Sequence, residues 1–158
     1  MTRVGAPRGW RAALAVALLS CAASSGAADG EIAICASDET RAAVRAEMRQ
    51  LLEAVHGIHA ALAERDFDVL AERAAAVGSG MRGQVEHGNG QGHPPGLPHE
   101  FVKLGLATHA AFDELATLAR EGGRPRELLP ALSGVTAHCV GCHARYRLTV
   151  ADDCALGE

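Results

Sequence analysis

Aromatic side chains are scarce in this chain of 158 residues: they make up 3%, with one Trp, one Tyr and three Phe. Trp10 falls in an N-terminal segment set apart below, which leaves Phe67, Phe101, Phe112 and Tyr146 as the large rings. Such rings contribute much of the core volume of an ordinary domain, so the apolar bulk here must come from smaller side chains or from something that is not protein. No β-branched alternation runs anywhere along the sequence, which argues against strands. The apolar run from Ala12 to Leu19 has eight residues, far short of the roughly 20 that a membrane-spanning helix needs. An excess of positive charge is missing as well. Acidic residues outnumber basic ones by 19 to 15, a balance that argues against nucleic acid or an anionic membrane surface as partner.

The first 28 residues read as an export signal. Arg3, Arg8 and Arg11 form its basic stretch, Ala12 to Leu19 its apolar run, and Gly26-Ala27-Ala28 a small-residue cleavage site. Cleavage after Ala28 removes 28 of the 158 residues and leaves 130, residues 29–158, with 12 basic and 19 acidic side chains and a net charge of −7. That length suits one domain, and the signal places it in the periplasm. Leu18-Leu19-Ser20-Cys21 also resembles the lipobox of bacterial lipoproteins. On that reading a lipid on Cys21 would hold the protein at a membrane surface, although the site just downstream favours simple export.

What the sequence does contain is Cys139-Val140-Gly141-Cys142-His143, the pattern by which haem is attached covalently in c-type cytochromes. Two thiols must reach the two vinyl groups of one porphyrin while an imidazole reaches its iron. On a helix, positions 139, 142 and 143 share one face, which makes His143 the expected proximal ligand. A thioredoxin-like redox pair would follow a strand in a βαβ unit, whereas Leu128 to His138 reads as helix. A zinc site would want a second pair of ligands, and the chain has no other CxxC. One haem c, held through Cys139 and Cys142, is the expected cofactor.

From Ser37 onward the apolar residues recur at helical intervals. Val44, Met48, Leu51, Leu52, Val55, Ile58 and Leu62 form one stripe, with Arg41, Arg45, Glu47, Arg49 and Glu53 largely between them. The spacing predicts helices over about 38–64, 67–87, 98–121 and 126–150, with Ser37 or Asp38 capping the first and Asp66 the second. Gly and Pro between Gly88 and Pro98 mark the one clear linker. The fold class expected is all-α, an antiparallel up-down-up-down four-helix bundle, in which a bound porphyrin supplies much of the missing ring bulk. With Cys21 removed and two thiols assigned to haem, Cys35 and Cys154 remain as an even pair in an exported protein. They flank the helices at what a bundle makes the same end, so a disulfide is geometrically reasonable.

With these features the chain resembles the class II c-type cytochromes, the cytochrome c-prime group. The resemblance covers roughly residues 37–150. It rests on Cys-Val-Gly-Cys-His-Ala-Arg-Tyr-Arg at the end of the last helix, on the Met48 region followed by Asp66-Phe67-Asp68, and on Phe112 in Ala110-Ala111-Phe112-Asp113-Glu114-Leu115-Ala116. It implies a haem at the C-terminal end of a four-helix bundle. It also implies that function turns on the distal side of the iron, where some members leave the sixth position open and bind small gases while others supply a methionine from the first helix. Met48 stands about where that methionine is expected, and a thioether opposite His raises the potential and closes the site. Met81 is a weaker candidate, and ordinary core packing is the plain alternative for Met48.

The resulting expectation is a one-electron carrier between periplasmic redox partner proteins, with no catalytic acid, base or nucleophile. Relatives of this type often pair as homodimers through their first two helices. Tyr146 and Arg147, three and four residues past His143, are expected on its helical face, beside the ring edge, the imidazole or a propionate, with Arg145 in the solvated last turn. Other readings are a five-coordinate protein binding NO or CO, and a haem-free helical module using the Gly/His linker for metal. Among the remaining histidines, His109 is either near the haem or a satisfied helix-face residue. His56 and His59 make a poor metal pair; His87, His93 and His99 border the linker and suit incidental metal binding at most. His138 is turned about 100° from the motif's face.

Overall fold

A computed structural model of the protein describes residues 30–82, 96–150 and Cys154. The expected signal with Cys21, and the linker residues that include His87 and His93, lie outside the described residues. The described chain is predominantly helical: α1 (Asp38–Glu64), α2 (Phe67–Ala76), α3 (Ser79–Arg82), α4 (His99–Arg120) and α5 (Pro125–Arg145), with β1 (Ile32–Cys35) before them and β2 (Tyr146–Thr149) after. Among the described residues no helix is long and apolar enough to cross a membrane.

The helix ends have local causes. Ser37 Oγ accepts the Thr40 backbone N–H at 3.1 Å, and Asp38 and Glu39 put negative charge in the first turn of α1, where the helix dipole favours it. At the other end Arg65 adopts φ of 60°, uncommon for a residue with a Cβ. Asp66 then donates its N–H to the Ala61 carbonyl at 2.9 Å and caps α2 by accepting from the Val69 N–H at 3.0 Å. Two residues therefore reverse the chain. Helix α4 closes at Gly122, with φ of 82°, and the Gly123 N–H bonds the Leu118 carbonyl at 2.9 Å. Pro125 opens α5, where Glu127 accepts from the Arg124 N–H at 2.9 Å and from its guanidinium at 2.7 Å. The guanidinium bond holds the exposed Glu127 carboxyl down to about 2.

The second segment differs from the periodicity reading of 67–87. Helix α2 stops at Ala76, and α3 is a separate turn. The cause is a side chain on another helix: Asp113 of α4 enters the break, and its Oδ2 accepts the Ser79 N–H at 2.9 Å. A Cβ on Gly78 would collide with the Asp113 carboxylate, so glycine is what admits it.

The ends correct the expectation of no strands and of a last helix reaching 150. Helix α5 ends at Arg145, and Tyr146 turns extended at φ −129°, ψ 141°. β2 then runs parallel to β1, with Ile32 opposite Tyr146 and Cys35 opposite Thr149. Each strand has four residues. A parallel pair joins segments distant in sequence, so no local pattern announces it. Cys35 and Cys154 are joined by a disulfide, with Cα atoms 6.1 Å apart.

Helices α1, α2, α4 and α5 share one apolar core. Ile58, Leu70, Phe112, Leu115, Leu128 and Val135 are completely buried there. The core begins at Leu51 of α1 and ends at Val135 of α5. Beyond it, α1, α4 and α5 continue without α2, because 10 residues span about 15 Å and the 27 of α1 about 40 Å.

Two measurements check this arrangement. Gly78→Ala should lower the unfolding free energy by about 1–3 kcal/mol, the usual effect of overpacking; a urea melt identical to wild type would show that Asp113 does not occupy the break. Thiol titration of the denatured, unreduced protein should find Cys35 and Cys154 unreactive. Replacing both with Ser should remove up to about 4 kcal/mol, as expected for a crosslink closing 119 residues.

Candidate functional site

Where the shared core stops, the helices enclose a cleft. Helix α1 supplies Val44, Glu47, Met48 and Leu51 to one wall; these positions follow the i, i+3, i+4, i+7 spacing of one helix face. Phe101, Val102, Gly105, Thr108 and His109 of α4 form a second wall, with Leu97 just before it. The third comes from α5: His138, Cys139, Cys142 and His143. The space between the walls is about 650 Å³, solvent mouth included, and only about 60 Å³ of it admits the centre of a water molecule. Only the smaller figure is a cavity volume, and it is well short of the roughly 300–1,000 Å³ of cofactor sites, so the walls lie close together.

Cys139, Cys142 and His143 therefore meet Met48 at one place, from opposite sides. Cys139 and Cys142 are half-buried and free, not bonded to each other. Burial pushes both thiols above their ordinary range, and the charge of a Cys139 thiolate would raise Cys142 further. Cys139 Sγ lies 3.7 Å from the Val135 carbonyl, to which its S–H donates. His143 is exposed at the edge of the cleft, while Met48 is half-buried and also packs on the core.

Several candidates are placed elsewhere. Tyr146 and Arg147 do not continue the face of His143, because the helix has already ended. Tyr146 is buried edge-on against Phe101, with ring centres 5.6 Å apart, so it backs a cleft residue without lining the cleft. Arg145 stands over the Tyr146 ring at 5.6 Å. Arg147 points to Glu31, with Nε 3.4 Å from its carboxylate. Met81 packs on the core, outside the cleft lining. His56 and His59 are exposed, and His59 Nδ1–H donates to the Val55 carbonyl of its own helix at 2.8 Å. His99 is exposed beside Glu100. Among the described residues no group of three or more His, Cys, Asp or Glu is assembled to hold a metal ion by itself.

Three polar residues emerge that the motif did not single out. His138, despite its 100° offset, lines the cleft because the stripe on α5 is wide enough to take both edges, and 138 and 142 are i and i+4. Glu47 belongs to the cleft face of α1 rather than the solvated one, a consequence of its place three residues after Val44. Arg41, one turn before Val44, has a buried Nε without a hydrogen-bond partner while its NH1 is held by Asp38 at 2.9 Å. No family model, curated protein or solved structure matches the chain.

The thiol environment makes a prediction with a definite sign. A raised thiol pKa keeps the neutral, unreactive form at pH 7. In the chain with both thiols free, alkylation of Cys139 and Cys142 should be slow at neutral pH and accelerate at a pH above that of an ordinary thiol. Rapid labelling of both at pH 7 would contradict the burial-raised assignment.

Proposed function

We propose that this chain is an exported, monohaem c-type cytochrome of the class II type, a haem-bearing four-helix bundle formed by α1, α2, α4 and α5, and that it carries one electron between periplasmic redox proteins. The observation that carries the reading is the convergence of Cys139, Cys142 and His143 on α5 with Met48 on α1 across one apolar cleft. The donor set fits haem c: two unbonded thiols one helical turn apart, an imidazole one position on, and a thioether on the facing wall. Four protein ligands are not required, because the porphyrin supplies the equatorial ones and leaves two axial places.

In this reading Cys139 and Cys142 would hold the ring through thioethers, and His143 and Met48 would hold its iron. When bound, the haem supplies a one-electron iron couple. The chain's own contribution is position and environment. Val44, Leu51, Phe101 and Val102 exclude water from the ring, which tunes potential through the local dielectric. Because the walls lie close, half-buried Met48 and His138 must swing apart to seat it. Arg41, on the Met48 face and with an unpaired donor, is the cation proposed for a propionate, the role expected of Arg147. Export rests on the signal-like segment, and the signal leaves the mature chain acidic.

A second reading, a five-coordinate protein that binds NO or CO, is favoured by the packing of Met48 on the core, which could keep the thioether off the iron. Optical spectra separate the two. The ferric holoprotein should be low-spin and the ferrous form should bind CO poorly; Met48→Leu should make the ferric form high-spin and open it to CO. A high-spin wild type, unchanged by Met48→Leu, would assign the second reading instead.

A further inference from the structure

Three polar or charged residues are buried in the described fold: Thr40, Thr108 and His109. Thr40 belongs to the Ser37 cap, and Thr108 Oγ1 donates to the Leu104 carbonyl of its own helix. His109 differs, because it ties three elements together. From α4 its Nδ1 lies 2.7 Å from the carbonyl of Val77, the residue that ends α2, and its Nε2 lies 2.9 Å from Glu47 Oε1 on α1. A carbonyl only accepts, so Nδ1 carries a proton and donates it; Nε2 and the carboxylate then hold one proton between them. The ring is 1% exposed, and the Glu47 side chain 29%.

The position of this brace matters more than its strength. A buried imidazole is costly unless both nitrogens are satisfied, and here the satisfying partners lie at the wall of the cleft. Helix α1 packs its backbone closely on α2, while α4 packs on α2 and α5; α1 meets α4 across the cleft through side chains. Glu47 is adjacent to Met48, and successive residues on a helix are separated by about 100°. Holding Glu47 against His109 therefore bears on both the rotation of α1 and its distance from α4 at this level, and so on where the Met48 thioether lies. Buried polar networks of this kind specify one geometry more than they add stability.

We propose that His109, through Glu47, is a positioning residue that presents Met48 to the haem iron. The proposal rests on the haem reading of the cleft. Without the brace α1 keeps its packing on α2 and on the core, but the Glu47–Met48 stretch loses a tie that fixes it against α4, and the Met48 thioether is no longer held toward the iron. The brace acts on Met48 only; covalent attachment through Cys139 and Cys142 on α5 is independent of it.

The test uses the holoprotein and reads haem attachment and axial ligation separately. Glu47→Ala and His109→Leu should keep one covalent haem by the pyridine haemochrome spectrum. Both should raise the ferric high-spin fraction about tenfold or more, since a charge-assisted hydrogen bond is lost, and both should gain CO binding. Glu47→Gln, which can still bond the imidazole, should retain the low-spin spectrum. Glu47→Ala changes a partly exposed side chain, so it reports even if the His109 variant does not fold. Low-spin spectra in Glu47→Ala indistinguishable from wild type would overturn the proposal while leaving the cytochrome intact. Should Met48→Leu leave the wild-type spectrum unchanged, Met48 is not a ligand and the positioning role falls with it. Absence of covalent haem in wild type is a separate result, which removes the haem reading itself and with it this role.

Discussion

The length of α2 is the constraint on which the cleft depends. Helices α1, α4 and α5 are each about twice as long as α2 or longer, and the core that they share with α2 can extend only as far as α2 reaches. Ile58, Leu70, Phe112 and Leu128 fill the part that α2 reaches. Past Ala76 the chain is turned aside by Asp113 in the space that Gly78 leaves, and the three longer helices go on around a narrow cleft. A chain so poor in aromatic rings has little to put there. The scarcity of rings and the break in α2 thus have one consequence, an apolar cleft whose filling is proposed to be a porphyrin.

The far end of the cleft is secured by devices of a different kind. Helix α5 passes directly into β2, Tyr146 packs on Phe101 behind the cleft wall, and β1 with the Cys35–Cys154 disulfide ties the two ends of the described chain together. The wall that carries Cys139, Cys142 and His143 is thereby held at both ends, by the core at Val135 and by the sheet at Tyr146. The opposing wall on α1 lies between the same two supports, the core at Leu51 and the sheet at Cys35. Midway between them the Glu47–His109 bond ties α1 to α4 beside Met48.

Legibility in the sequence followed the range of the interactions. The motif at 139–143 could be read because its geometry is local, set by positions i, i+3 and i+4 of one helix. The stripe through Val44, Met48, Leu51 and Ile58 was readable for the same reason, and so was the Ser37 cap. The even cysteine pair was open to counting. The end of α2 was not, because it is decided by Asp113, a residue 34 positions away from its hydrogen-bond partner Ser79. The strands were hidden in the same manner: four residues each, paired in parallel across the whole described fold. That pairing ended α5 early and carried Tyr146 and Arg147 off the face where helical spacing put them. His109 showed as a helix-face residue, but the identity of its partners, Glu47 and the Val77 carbonyl, depends on packing that no spacing reveals.

The proposed function stands on covalent attachment of haem, and intact-mass measurement of the exported protein after acid-acetone extraction tests it most directly. The expected result is a chain heavier by one haem, with the added mass resistant to extraction and lost when Cys139 and Cys142 are both replaced by Ser. A chain of unmodified mass, isolated from cells that attach haem to c-type cytochromes, would contradict the proposal.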